Sequence, residues 1–284
     1  MTALVDPNYA DRRGFDGEFL GADLPLPGLA DGVAVAVGPG ATDGILRYHH
    51  FSVVMNPARR LAIFSAANVD GRRRFSEVRH ADRWIVDPRM PDAQSGNGLY
   101  TANDLDRGHL TRRADMLWGD TAGEASAAVA DTFHYTNCAP QHRDFNQNDT
   151  TWQGLEDYIL VTVGDHRLRA NVYTGPILDP DDPPYRGVLI PRAFWKVVAV
   201  ATADRVHATA YLIEQTDLLD ALGRAAEEPP LGAFRTYQTS VRHIESRTGV
   251  RFGPLHSYDP LEPPQGDAEE PTPFELHGLH DIKL

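Results

Sequence analysis

The chain has 284 residues, a mass of 31.4 kDa and a formal charge of −13, with 42% hydrophobic and 24% charged residues. This composition is ordinary for a globular protein and excludes a disordered chain, a collagen-like fibre and a coiled coil. No apolar run approaches the roughly 18 residues that a membrane-spanning helix needs, so we expect no membrane partner.

One cysteine, Cys138, excludes an intramolecular disulfide and a zinc site built on cysteines. Residues 1–20 contain several aspartates and arginines where a secretory signal would have its apolar core. We therefore expect a cytoplasmic protein as encoded, and leave open delivery or export by another route.

Charge is unevenly distributed along the chain. Residues 56–113 contain eleven arginines against seven acids, a net charge of +4, whereas residues 254–284 have a net charge of −6. The negative total argues against a general basic nucleic-acid binder. Arginine binds phosphate through two parallel hydrogen bonds, but a biased genomic base composition also enriches it, and composition does not separate these two explanations.

The first half of the chain predicts an arm, two strands and a long loop. Residues 1–45 are rich in Gly, Pro and Asp, which indicates an extended arm laid over the domain. β-Branched and aromatic residues predict strands at 46–55 and 61–69, separated by the polar break NPARR. Residues 70–108 are polar and without periodicity; long irregular regions of compact domains are usually functional.

The second half mixes helices and strands. Further strands are predicted at 133–137, 169–173, 193–201 and 207–213, and helices at 121–131, 149–163 and 240–248. A threonine caps the first of these helices, Gly249 ends the last, and apolar residues recur at helical spacing in the middle one. The mixture indicates an α+β fold with a largely antiparallel sheet. We divide the chain into an arm (1–45), a main domain (46–253) and a mobile acidic tail (254–284).

The segment NDLDRGHL at 103–110 is the first candidate for chemistry. Gly108 lets the backbone approach a ligand closely, and Arg107 can hold phosphate oxygens. With an ordinary pKa near ~6.5, His109 can act as a base at neutral pH. Taken alone, this segment is better explained as a structural turn.

A second group of polar residues follows downstream. TNCAPQ at 136–141 precedes FNQN at 145–148, Trp152 and Glu156. A neutral asparagine is a poor sole ligand for a soft metal but suits Mg²⁺, which keeps most of its waters and takes one or two protein oxygens. Glu156, two turns into the predicted helix, can hydrogen-bond those waters.

In this order, DRGHL, TNxxPQ and FNQ…WxxLE resemble the DNA/RNA non-specific endonucleases, the ββα-metal nucleases that include endonuclease G and secreted bacterial nucleases. Similar segments at 66–71, 172–178 and 191–198 extend the resemblance over most of the chain. It implies the ββα-metal (His-Me finger) fold, with a central, largely antiparallel sheet flanked by helices. It also implies hydrolysis of DNA and RNA that depends on Mg²⁺, for which Mn²⁺ can substitute, leaving 5′-phosphate and 3′-hydroxyl ends.

The resemblance implies a role for each matched residue. His109 would be the general base on the attacking water, and Arg107 the arginine near the scissile phosphate. Glu156 would be the helix carboxylate that orders metal-bound water. Asn137 matches an asparagine that borders the site, and we assign it to substrate binding.

The metal ligand is where the sequence departs from the family spacing. Counting forward from Pro140 gives Asn146, whereas counting back from Trp152 and Glu156 gives Asn148. Two extra residues therefore lie between the asparagine and the tryptophan. We favour Asn146, because an insertion is more easily absorbed before the helix than between the base and the ligand.

Two other functions are compatible with the sequence. One is a catalytically silent nucleic-acid-binding module, which the presence of every expected catalytic residue type argues against. The other is a metal phosphodiesterase for small substrates, which the acidic total would suit. A non-specific nuclease must be restrained in its own cell, so an inhibitor or an activating partner is a candidate partner. Relatives are often homodimers, which makes a homodimer a further candidate.

Overall fold

The computed structural model describes residues 8–79, 82–143, 163, 167–202, 205–219, 235–262 and 273–276. In this part of the chain the strands are β1 Gly28–Leu29, β2 Ile45–Arg47, β3 Phe51–Asn56, β4 Leu61–Asp70, β5 Leu105–His109, β6 Cys138–His142, β7 Arg169–Pro176, β8 Pro184–Tyr185, β9 Val188–Leu189, β10 Ala193–Ala201, β11 Val206–Glu214, β12 Arg235–Thr239, β13 Val250–Arg251 and β14 Phe274–Glu275. The α-helices are α1 Ala122–Asp131, α2 Thr216–Leu219 and α3 Val241–Thr248. None of these helices has the length and apolar character needed to cross a membrane.

One sheet of eight strands forms the centre of the molecule, in the order β14-β12-β11-β10-β7-β4-β3-β2, and every neighbouring pair is antiparallel. Side chains pack on both of its faces. Along β10, Phe194 and Val198 belong to one hydrophobic cluster, whereas Trp195 and Val197 belong to the other. Because both faces are covered, β4 is buried along its whole length and is apolar without clean alternation.

Most of the predicted elements are present. β4, β10 and β11 match the predicted strands closely, and β7 extends its predicted strand to Pro176. α1 begins after Thr121, whose hydroxyl accepts a hydrogen bond from Glu124 N, and α3 begins after Ser240, which caps it in the same way. Gly249, at φ 71°, ends α3. Local capping signals therefore located both helices.

Two predicted strands were wrong. The strand at 46–55 is divided into β2 and β3 by a turn in which His50 has φ 68° and Tyr48 N donates to Phe51 O at 2.9 Å. The run at 133–137 is aromatic but ends in a 3-10 turn, Tyr135–Asn137. The strand comes directly after it, as β6, and contains Pro140, a residue that is uncommon inside strands. The helix predicted at 149–163 lies outside the described residues except for its last position.

The two terminal segments contact the sheet domain in the residues that the structure describes. β1 pairs with β13, and β14 pairs with β12 at the edge of the large sheet. Part of the tail that was predicted to be mobile therefore forms an edge strand. Residues 263–272 and 277–284 lie outside the described part of the chain.

A buried ion pair fastens the N-terminal arm to α1. Arg12 is buried, and its guanidinium lies 3.2 Å from the carboxylate of Asp131, which is 0% exposed. The same carboxylate accepts a hydrogen bond from His49 N at 3.0 Å and lies 2.7 Å from His49 Nδ1. Burial alone would raise the pKa of Asp131, but His49 and Arg12 lower it below its ordinary value. The carboxylate therefore stays charged inside the protein.

Replacing Arg12 by Met should lower the free energy of unfolding by about 3 kcal/mol, because removing one partner leaves a buried charge poorly compensated. Arg13→Met is the matched control, since Arg13 is exposed, and should change stability by less than about 0.5 kcal/mol. Urea denaturation of both variants measures the difference. Equal free energies of unfolding for the two variants would show that the Arg12–Asp131 pair does not stabilise the protein.

Candidate active site

The two motifs nearest the candidate base lie on one two-stranded ribbon. β5 pairs antiparallel with β6, which places Arg107 opposite Pro140, Gly108 opposite Ala139 and His109 opposite Cys138. The DRGH and TNxxPQ segments are separated along the chain but adjacent in space. The structure thus brings together three of the five predicted site residues, His109, Arg107 and Asn137.

Gly108 is required by packing across this ribbon. A Cβ at this position would lie 2.1 Å from Cδ and 2.6 Å from Cγ of Gln141. Gln141 is 0% exposed, and its amide nitrogen and oxygen have no hydrogen-bond partner among the described residues. The glycine therefore makes room for the side chain of Gln141 on the neighbouring strand, and the close approach of a ligand stays a prediction.

The imidazole of His109 lies between two aromatic rings. The ring of Trp84 is 4.8 Å away at 42°, and that of Phe133 is 5.1 Å away and almost perpendicular. Burial, which is the largest cause, and the charges of Arg113 and Arg112 together lower the pKa of His109 to about 4, and Asp82 opposes them. The ordinary pKa expected from the sequence is therefore wrong, and the ring is neutral at pH 7.

Arg107 lies on the same face of β5 as His109, because alternate residues of a strand share a face. Its guanidinium lies over Tyr100, 5.3 Å from the ring centre, and 5.9 Å from the ring centre of Trp84. One terminal nitrogen donates to the side-chain oxygen of Asn97, and Nε has no partner among the described residues. The site therefore combines a neutral base with a pre-oriented cation.

Asn137 is 0% exposed, and its side chain holds the backbone that follows the base. Its amide oxygen accepts from Thr111 N at 3.0 Å, and its amide nitrogen donates to Thr111 O at 2.9 Å and Thr132 O at 3.0 Å. Both amide hydrogens are thus used inside the protein. These contacts fit a positioning residue better than the substrate-binding residue that was predicted.

The remaining predicted residues, Asn146, its alternative Asn148 and Glu156, lie outside the described residues, so their roles stay predictions. Within the described part of the chain, no group of three or more His, Cys, Asp and Glu side chains is arranged to hold a metal ion.

Sequence reasoning missed the aromatic surroundings of the base. Trp84 lies in the polar region 70–108, where a lone tryptophan was the one available signal. Arg112 and Arg113 follow the motif directly and were counted only as part of the basic stretch.

The family model described as "DNA/RNA non-specific endonuclease" matches residues 31–258. The chain belongs to this family. It is 41% identical over 265 residues to "Uncharacterized protein y4fB" of Sinorhizobium fredii, covering 86% of this chain and 40% of that protein. It is 28% identical over 200 residues to human mitochondrial endonuclease G, covering 65% of this chain and 59% of that protein. The chain thus spans about half the length of the curated relatives it matches.

Comparison with solved structures shows the same fold. The structure titled "Crystal structure of the EndoG/EndoGI complex: Mechanism of EndoG inhibition" superposes with a TM-score of 0.57 at 17% identity, covering 83% of this chain and 90% of that chain. The predicted ββα-metal fold with its central antiparallel sheet is confirmed. Membership of this family indicates a hydrolase of the endonuclease type.

Proposed function

We propose that this chain is a Mg²⁺-dependent endonuclease that hydrolyses phosphodiester bonds of DNA and RNA without sequence specificity. The observation that supports it best is the end of β5, where a neutral imidazole stands beside the cation of Arg107. Hydrolysis of a phosphodiester needs a base that takes a proton from the attacking water and a cation that binds the phosphate oxygens. Both groups project from one face of β5. Asn137, just before the partner strand β6, hydrogen-bonds to the backbone of Thr111, just after β5.

His109 acts as the general base in this proposal. Its low pKa keeps the ring unprotonated at neutral pH, so a nitrogen lone pair is available to accept a proton from water. A base with so low a pKa is weak in the free protein. The phosphate of a bound substrate adds negative charge beside the ring and raises its pKa towards the operating pH.

Arg107 holds the phosphate in this proposal. Its guanidinium is kept in place by Asn97 and by the rings of Tyr100 and Trp84, so little side-chain freedom remains to be lost when substrate binds. A guanidinium contacts phosphate oxygens and does not read base edges, which fits slight sequence preference on DNA and RNA.

The donor set fits a hydrated hard cation. An amide oxygen, together with a carboxylate that accepts hydrogen bonds from bound waters, suits Mg²⁺, which keeps most of its water shell. We propose Asn146 as the ligand, through its amide oxygen, and Glu156 as the acceptor for metal-bound waters. When bound, Mg²⁺ supplies positive charge at the phosphate and at the leaving 3′ oxygen.

Restraint by a partner is also part of the proposal. The endonuclease G neighbour was solved in a complex whose title names inhibition. Because the present chain shares that fold, we propose that a protein inhibitor or an activating partner controls it in the cell.

Plasmid cleavage tests the nuclease assignment. Purified protein should nick and linearise circular plasmid and degrade RNA in Mg²⁺, and EDTA should abolish both. His109→Ala should reduce the rate by ~10²–10⁴-fold, the usual contribution of a general base. His207→Ala, on β11, is the control and should cleave at the wild-type rate. Hydrolysis of a small phosphodiester without plasmid cleavage would favour a small-substrate phosphodiesterase instead.

The metal ligand is tested by a pair of neighbouring variants. Asn146→Ala should weaken Mg²⁺ binding and lower the cleavage rate far more than Asn148→Ala, since only the first removes the proposed amide ligand. A Mg²⁺ titration of plasmid cleavage by each variant measures the effect. The reverse order would assign the ligand to Asn148.

The pH dependence follows from the low pKa of His109. The active form is the unprotonated ring, so kcat/KM for a plasmid should fall only as the pH drops through the pKa of about 4. Between pH 7 and pH 5.5 it should change less than twofold. A histidine with the ordinary pKa of ~6.5 would lose about eightfold over that range, and such a loss would contradict the lowered pKa of His109.

A further inference from the structure

We propose that Trp84 is a positioning residue for this reaction: its indole packs on the imidazole of His109 and holds that ring in the orientation that presents it to the attacking water. This inference rests on the proposed nuclease function. It assigns a role to a residue in the long polar region before the motif.

The backbone around Trp84 is fixed. The next residue, Ile85, donates its N–H to Phe133 O at 2.9 Å and accepts from Tyr135 N at 2.9 Å, which forms a short parallel bridge. The indole itself packs against Phe133, with ring centres 5.4 Å apart, and against Tyr135 at 5.7 Å. Trp84 is therefore held in place beside His109 by the bridge at Ile85 and by its aromatic neighbours, although it lies outside the regular strands.

A catalytic histidine needs something to orient its ring, and in most sites a carboxylate or carbonyl does this through a hydrogen bond. Among the described residues, no group makes a hydrogen bond with the ring of His109, and Nε2 is buried without a partner. What the ring does contact is aromatic: Trp84 on one side and the edge of Phe133 on another. Within the described part of the chain, aromatic packing is therefore the contact that orients the ring.

The same packing removes part of the water around the half-buried ring. Burial is the main cause of the low pKa of His109. The charged groups around it come from three segments: Arg112 and Arg113 after β5 oppose its protonation, Asp82 beside Trp84 favours it, and Arg107 projects from β5 itself. Removing the indole leaves these charges in place and hydrates the ring, so the pKa should rise towards its ordinary value.

The chain contains a second tryptophan–histidine pair that serves as a matched control. Trp118 stacks on His50 with ring centres 3.7 Å apart, and burial also lowers the pKa of His50 to about 4. This pair is not part of the proposed machinery. A change at Trp118 should therefore affect His50 and leave His109 as it is.

The experiment combines an NMR titration of histidine Cε1–H signals with plasmid cleavage kinetics on the full chain. His109→Gln and His50→Gln assign the two signals. Trp84→Ala should raise the pKa of His109 by at least about one unit and lower kcat at pH 8 by ~10–10²-fold, the size expected for a misplaced base. KM should change less than threefold. Trp84→Phe, which keeps an aromatic ring, should restore most of kcat, and Trp118→Phe should shift only His50.

Two results would overturn the proposal. One is a folded Trp84→Ala protein in which both the pKa of His109 and kcat equal the wild-type values. If the alanine variant does not fold, Trp84→Leu is measured in its place. The other is a loss of kcat in Trp84→Ala that Trp84→Phe does not restore. Failure of the nuclease assignment would look different, because the wild-type protein would then not cleave plasmid. Cleavage by His109→Ala at the wild-type rate would remove His109 as the base.

Discussion

The side chain of Asn137 joins the elements on which the site is built. Its amide makes a two-way hydrogen bond with the backbone of Thr111 and a third with Thr132, at the end of α1. Each of these buried groups would be left unsatisfied without it, at about 1–3 kcal/mol each. The strand bearing His109, the ribbon and the helix are therefore held as one unit. The candidate base is therefore positioned by secondary structure rather than by a mobile loop.

The arginine-rich stretch serves two purposes in the fold. Arg89 lies in a buried pair with Asp87, and Arg59 pairs with Asp182, so these cations stabilise the protein and are neutralised there. Arg107 instead stands beside the candidate base with aromatic neighbours. The net positive charge of the stretch is thus larger than the charge that is free to bind a phosphate. Structure separates the two groups of arginines, which composition could not do.

The sequence predicted those parts of the site that are formed by residues close together along the chain. One short motif contains both Arg107 and His109, and the mixture of predicted strands and helices indicated the antiparallel sheet. The environment of the base was not predictable, because Trp84 and Phe133 reach it through tertiary packing from separate segments. For the same reason the pKa expected for the histidine was wrong. The role of Asn137 was also hidden, since an amide that binds substrate and one that binds backbone look identical in a sequence.

The single cysteine of the chain lies directly opposite His109 on the neighbouring strand. Cys138 is fully buried, and burial raises the pKa of its thiol to about 12. Because alkylating reagents attack the thiolate, the folded protein protects this group, and modification requires the ribbon to open. The rate at which a thiol reagent labels the native protein therefore reports how often the strands beside the candidate base separate.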